Sequence, residues 1–191
     1  MSRELLQHFR NYIAIEEKDE AEIAAHFRTA TFAKKNILLA ENARSIPHFF
    51  VVKGCLRMFY LNEKGIEQTA QFAIENWWLT DYLSFERQSR SSFSIQALEA
   101  TEVLMIDYKQ QEALLAQFPL LERYFRLIYQ RNYGALQLRS KYLHEFSREE
   151  LYEHFSSRFP EFVQRVPQYL LASYLGMTPE YLSEIRAKRR S

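Results

Sequence analysis

The chain has 191 residues, with 25 Lys+Arg against 24 Asp+Glu and a formal net charge of +1. Its 47% hydrophobic content, 15% aromatics, 4 Gly and 5 Pro exclude a disordered chain, a collagen-like repeat and a low-complexity linker, and its length suits one or two domains. The near-zero charge excludes a protein that coats nucleic acid by bulk charge and leaves room only for a local basic patch.

A single cysteine, Cys55, rules out a disulfide framework within the chain and a multi-thiolate metal site. Its neighbours Val51, Val52, Leu56 and Met58 suggest a buried apolar filler. No stretch approaches the ~18 apolar residues of a membrane span, and MSRELLQHFRNY has no leader-like apolar core. The expectation is a soluble, cytoplasmic protein without a membrane partner.

Two helical patterns come first. Arg3 to Tyr12 carries Leu5, Leu6 and Phe9 at helical spacing, with Ile13 continuing it. Glu16 to Phe27 places Ile23, Ala24 and Phe27 on one side. From Thr29 the texture changes to β-branched and aromatic runs cut by short polar turns, among them Lys53-Gly54 and Asn62-Glu63-Lys64-Gly65. Such runs, with Ser92–Leu98 and Glu102–Ile106 as the last two, predict an antiparallel β domain ending near Asp107.

Helices then return. Tyr108–Phe118 reads as one, and Pro119 suits the first turn of the next. Leu120 to Phe146 contains no proline and predicts a helix of about 40 Å. Leu121, Phe125, Ile128, Asn132 and Ala135 follow 4-3-4-3 spacing, the seam of a helix packed against its twin in a homodimer. A core helix of one subunit fits the same spacing, and Tyr124, Leu127, Leu138 and Tyr142 leave the register open. Ser147-Arg148-Glu149-Glu150 is a capping box that opens a new helix. The expected division is therefore 1–118, a β-domain with flanking helices; 119–146, a long connecting helix; and 147–191, a terminal helical domain.

Gln168–Ala187, QYLLASYLGMTPEYLSEIRA, reads as two helices joined by a tight turn. Leu171, Ala172 and Leu175 form one inner face, while Leu182 and Ile185 form the other. Gly176 suits a left-handed helix end, Thr178 an N-cap and Pro179 the first helical position. This is a helix-turn-helix pattern, and its second helix would enter the DNA major groove. Thr178, Pro179, Glu180, Tyr181, Ser183 and Glu184 are the candidate reading residues. Arg186, Lys188, Arg189 and Arg190 are candidate phosphate contacts. Glu180 can accept from the cytosine N4 amine, but Glu184 repels phosphate unless it meets such an amine or pairs with Lys188. An enzyme is not expected: the β region holds only His48, with no His-x-His for a cupin metal, and no nucleophile–base pair or phosphate loop is visible.

This layout resembles the cyclic-AMP receptor protein/FNR (Crp/Fnr) family of bacterial transcription regulators, particularly its short Bacteroidetes-type members. FFVVKGCLRMFYLNEKGIE and VPQYLLASYLGMTPEYLSEIR carry the resemblance, which spans essentially the whole chain. It implies an α+β fold: a cyclic-nucleotide-binding-like antiparallel β-roll (double-stranded β-helix) with flanking helices, a long dimerisation helix and a C-terminal helix-turn-helix. It further implies a homodimer on double-stranded DNA at a pseudo-palindromic site, RNA polymerase as a further partner, and control by a small effector in the β-roll. Members that bind cyclic AMP carry Gly-Glu and, about ten residues on, Arg-Ser. Here Thr80-Asp81 stand for the first pair, and Arg90-Ser91 or Ser91-Ser92 for the second. These five are the candidate ligand residues, but the loss of glycine disfavours a cyclic nucleotide, and no other cofactor is indicated. Trp77, Trp78, Tyr82 and Phe85 line the altered stretch, either as core or as an aromatic effector pocket. A ligand-sensing module with vestigial DNA binding is the alternative function.

Overall fold

The computed structural model describes residues 3–188; Arg189 and Arg190, two of the expected phosphate contacts, lie outside the described residues. The helices are α1 (Arg3–Arg10), α2 (Glu20–Ala25), α3 (Tyr82–Arg87), α4 (Tyr108–Gln117), α5 (Leu120–Glu145), α6 (Arg148–Arg158), α7 (Pro160–Arg165), α8 (Gln168–Tyr174) and α9 (Pro179–Lys188). The strands are β1 (Arg28–Phe32), β2 (Ile37–Leu39), β3 (His48–Lys53), β4 (Leu56–Leu61), β5 (Glu67–Ala73), β6 (Trp78–Leu79), β7 (Ser94–Ala97) and β8 (Thr101–Ile106). They form two four-stranded sheets, ordered β1-β8-β3-β6 and β2-β7-β4-β5. Every pair with a described register is antiparallel. The expected antiparallel β-roll with flanking helices and a long following helix is therefore present.

Two expectations needed adjustment. The pattern over Glu16–Phe27 is broken into a 3-10 turn at Glu17–Asp19 and the shorter α2. Within the stretch after β6, Asp81 caps α3, a helix the apolar pattern did not reveal.

By packing, the chain forms two compact units, Met1–Tyr60 with Gln71–Tyr129, and Leu61–Ala70 with Gln130–Ser191. In the first unit, Leu5 and Phe9 of α1, Phe50 of β3, Leu104 and Ile106 of β8, and Leu121, Tyr124, Phe125 and Ile128 of α5 share one core. Phe50 opposes both Leu104 and Trp78 in register, so one face of this sheet presents large apolar side chains to the helices. Gly54 makes the β3–β4 turn at φ +106°, and a Cβ there would sit 2.8 Å from the Ala100 carbonyl oxygen, so no larger residue fits.

Tyr124 is fully buried, yet its hydroxyl is satisfied. The Trp78 indole N–H can only donate, and it reaches the Tyr124 oxygen at 2.6 Å. The phenol is then free to give its own proton to His8 Nδ1, also at 2.6 Å. Burial pushes the phenol well above its usual titration range. Tyr124→Phe should cost about 1–3 kcal/mol in a urea melt, because the buried Trp78 N–H loses its acceptor while the ring packing is retained. An unchanged urea midpoint would contradict this role.

In the second unit, Ser147 opens α6 by a reciprocal capping box: its hydroxyl accepts from the Glu150 N–H at 3.3 Å, and Glu150 Oε2 accepts from the Ser147 N–H at 2.8 Å. Leu151, Tyr152, Phe162, Leu170, Leu171, Leu175, Leu182 and Ile185 are buried. No helix among the described residues is long and apolar enough to cross a membrane.

Candidate nucleic-acid interface and effector site

The turn between α8 and α9 follows from local chemistry. Gly176 takes φ 70°, the left-handed conformation that a β-carbon disfavours. This lets the Met177 N–H reach the Ala172 carbonyl at 3.0 Å and the Gly176 N–H reach that of Ser173 at 3.2 Å, closing the end of α8. Thr178 then caps α9, its hydroxyl accepting from the Tyr181 N–H at 3.2 Å. Ala172, Leu182 and Ile185 are buried between the helices as expected.

Thr178, Pro179, Glu180, Ser183, Glu184 and Lys188 are exposed on α9 and its cap, whereas Tyr181 and Arg186 are half-buried. Neither Glu180 nor Glu184 has a hydrogen-bond or ion-pair partner among the described residues, and Glu184 does not pair with Lys188. Tyr181 makes a contact that its place in α9 did not reveal. Its hydroxyl donates to Glu149 of α6, and the Arg148 guanidinium stands 5.5 Å from its ring centre. The Tyr181 hydroxyl holds the Glu149 carboxyl below its usual range, helped by the Glu149 backbone and by Lys188 and Arg148. Tyr181 is thus tied to α6, because its long side chain crosses the turn onto the α6 N-terminus.

Arg139 of α5 donates to the Tyr174 carbonyl at 2.8 Å and lies 4.3 Å from the Tyr174 ring centre, supporting the end of α8. The Ser173 hydroxyl of α8 accepts from the Thr69 N–H at 2.9 Å. Sequence patterns identified none of Arg139, Arg148, Glu149 or Ser173, since each acts through a partner far away in the chain.

Among the expected ligand residues, Asp81, Ser91 and Ser92 come together. Asp81 Oδ1 accepts from the Ser84 N–H at 3.2 Å, and Oδ2 from the Ser92 N–H at 2.9 Å, with the Ser91 hydroxyl 3.2 Å away. Thr80 is buried and donates to the Pro47 carbonyl at 2.9 Å. Arg90 is exposed and donates to the Asn42 carbonyl at 3.3 Å. The carboxylate that would hold a ribose hydroxyl is therefore already engaged by the chain itself.

Trp78 and Phe85 are core residues, with Tyr82 half-buried beside them and Trp77 exposed. Trp78 packs against His48, which is fully buried, with 4.3 Å between ring centres. Tyr82, Phe85, Phe125 and Tyr129 complete the ring of aromatics. His48 Nδ1 lies 3.3 Å from Gln111 Oε1, and the Gln111 amide donates to Tyr129 at 3.3 Å. Burial pushes the imidazole down to about 3, opposed only by the Gln111 hydrogen bond. Among the described residues no cluster of three or more His, Cys, Asp or Glu is placed to hold a metal ion.

The expected dimer seam is revised. Leu121, Phe125 and Ile128 are buried in the core of one chain, so they offer no surface to a twin. Asn132 is half-buried and Ala135 exposed. The large apolar residues exposed on α5 are instead Leu120, Tyr133, Leu136, Leu138 and Leu143.

Residues 29–118 match the family model described as the cyclic nucleotide-binding domain. No curated protein sequence matches the chain significantly. Solved structures do resemble it. A Crp/Fnr-family transcriptional regulator from Eubacterium rectale has a TM-score of 0.71 at 13% identity, covering 92% of this chain and 84% of its own. The c-di-GMP-responsive regulator CLP of Xanthomonas campestris has a TM-score of 0.69 at 15% identity, covering 92% of both chains. The catabolite activator protein of Thermus thermophilus has a TM-score of 0.58 at 17% identity, covering 92% of this chain and 84% of its own. The resemblance read from the sequence is thus borne out in the fold: residues 29–118 match the cyclic nucleotide-binding domain model, and the chain shares the fold of these Crp/Fnr-type structures.

Proposed function

We propose that the chain is a DNA-binding transcriptional regulator that acts as a homodimer in the cytoplasm, with two copies of α9 entering successive major grooves of a pseudo-palindromic site. The observation that carries this reading is the exposed face of α9. Thr178, Pro179, Glu180, Ser183 and Glu184 are open to solvent while Leu182 and Ile185 anchor the helix from behind. Lys188, Arg186 and the following Arg189 and Arg190 supply phosphate contacts in this reading. The twin packs on the exposed stripe of α5: Tyr133, Leu136, Ser140 and Leu143 follow 3-4-3 spacing, the period of a coiled-coil seam. RNA polymerase is the further partner, and an effector in the sensor unit sets the DNA-competent geometry. A cyclic nucleotide is disfavoured as that effector, because the acceptors of Asp81 are already used by Ser84, Ser91 and Ser92.

The two unpaired carboxylates favour the second reading, a sensor with vestigial DNA binding, unless both meet base amines. Carboxylates only accept, and in the major groove the cytosine N4 amine is their matched donor. Selection of bound sequences from a random duplex pool tests both readings. The regulator reading expects paired half-sites about 10 base pairs apart with cytosine enriched opposite α9. Glu184→Gln should move the preference at one position of each half-site from cytosine toward adenine, a change of about 1–3 kcal/mol in discrimination. A pool with no enriched sequence supports the vestigial reading.

A further inference from the structure

The first turn of α6 was not expected to take part in DNA recognition, yet it is tied to the candidate reading helix at two points. The Glu149 carboxylate receives the Tyr181 hydroxyl, and the neighbouring Arg148 guanidinium stands 5.5 Å from the centre of the same ring. This is within reach of a cation–π contact. Arg148 is exposed, and among the described residues no carboxylate lies within ion-pair distance of it. Its acidic neighbours are already occupied. Glu149 is committed to Tyr181 and is influenced by Lys188 from the far end of α9. Glu150 is committed to the Ser147 N–H.

We infer that Arg148 is a phosphate ligand of the DNA interface, held beside the reading helix by the Tyr181 ring and the Glu149–Tyr181 hydrogen bond. This rests on the reading of α9 as the base-contacting helix. A helix lying in the major groove is flanked by both phosphate backbones, so a cation supported from the side of that helix meets a phosphate rather than a base edge. The guanidinium is suited to the position. It keeps its charge at all physiological pH, stacks on an aromatic face through one surface, and still offers N–H donors at its edge to phosphate oxygens. The Tyr181–Glu149 bond also has a consequence for α9. It anchors the first turn of the helix against rotation about its own axis, so Glu180 and Ser183 keep a fixed azimuth while Arg148 grips the backbone.

The test uses the full chain and the duplex recovered from the pool selection, with affinity measured by fluorescence anisotropy across a salt series. Each phosphate neutralised contributes about 0.9 to the slope of log K against log salt. Arg148→Ala should reduce the slope magnitude by about 0.9 per subunit engaged, and weaken binding roughly fivefold per subunit at 0.15 M salt. The loss should be the same for specific and scrambled duplexes. Arg148→Lys, which keeps the charge, should restore the slope. Arg158→Ala removes an exposed charge from the other end of α6 and should leave the slope unchanged. Melting curves of all variants should superimpose, since none of these side chains is buried. An unchanged slope in Arg148→Ala overturns the inference, as does an equal drop in Arg158→Ala, which would report bulk charge. A wild-type chain that binds no duplex saturably refutes instead the reading of α9 on which the inference stands.

Discussion

Phe125→Ala should destabilise the folded chain by about 3–5 kcal/mol, a third or more of what a typical domain has to spare. The ring is 2% exposed and sits among Trp78 at 5.4 Å, Tyr124 at 5.1 Å and His48 at 6.0 Å between ring centres. Removing it loses both the transfer term and the packing of a cavity whose walls are rigid aromatics. Leu136→Ala on the same helix should behave differently. Leu136 is 47% exposed, so its truncation should change the stability of a single chain by no more than about 0.5 kcal/mol. Its effect should appear in the association constant of the proposed dimer. Urea melts at low concentration and sedimentation equilibrium separate the two. If Phe125→Ala dissociates the dimer while keeping a wild-type midpoint, the division of α5 into a core face and an exposed stripe is wrong.

Acid should unfold the chain through His48. Its folded-state value lies near 3, against an unfolded value near 6.5. As pH falls through 6.5, the unfolded chain takes up a proton that the folded chain refuses. The stabilisation is therefore complete above pH 6.5 and is lost progressively as pH falls toward 3. Well inside that window each pH unit should raise the unfolding constant about tenfold, which makes roughly fifteenfold between pH 6.5 and 5. The groups facing the imidazole are Trp78, Tyr82, Phe85, Phe125, Tyr129 and Gln111, and none supplies a negative charge that would hold the proton. His48→Leu should flatten the pH dependence between 6.5 and 5 relative to wild type. Equal slopes in wild type and variant would show that His48 is protonated in the folded chain.

Both effects arise at positions whose importance the linear pattern left undecided. In the amino-acid order His48 was one histidine among five, notable only for the absence of a metal-binding companion. Phe125 sat in a seam that suited either a twin helix or the chain's own core. A heptad spacing reveals that a stripe is apolar, and says nothing about which surface covers it. The same holds for Asp81. Its place in the chain suggested a ribose contact, but Ser91 and Ser92 fold back onto its Oδ2 while the Ser84 N–H takes Oδ1. Tyr181 was placed among the candidate reading residues by its position in α9, and its hydroxyl is bonded to a residue 32 positions earlier in the chain, which that position does not reveal.

Features with causes inside a few residues were readable directly. The Ser147–Glu150 box, the Gly176 turn, the Thr178 cap and the start of α9 at Pro179 each depend on contacts within about five positions, so their residue types carry the geometry. The alternation of β-branched and aromatic runs likewise announced an antiparallel β domain before any pairing was known. Tertiary packing alone decided which side of α5 is core, whether the polar residues around Asp81 face outward or each other, and what braces α9. Those outcomes depend on groups brought together across tens of residues, and local preference has no energy term for a partner that only the folded chain supplies.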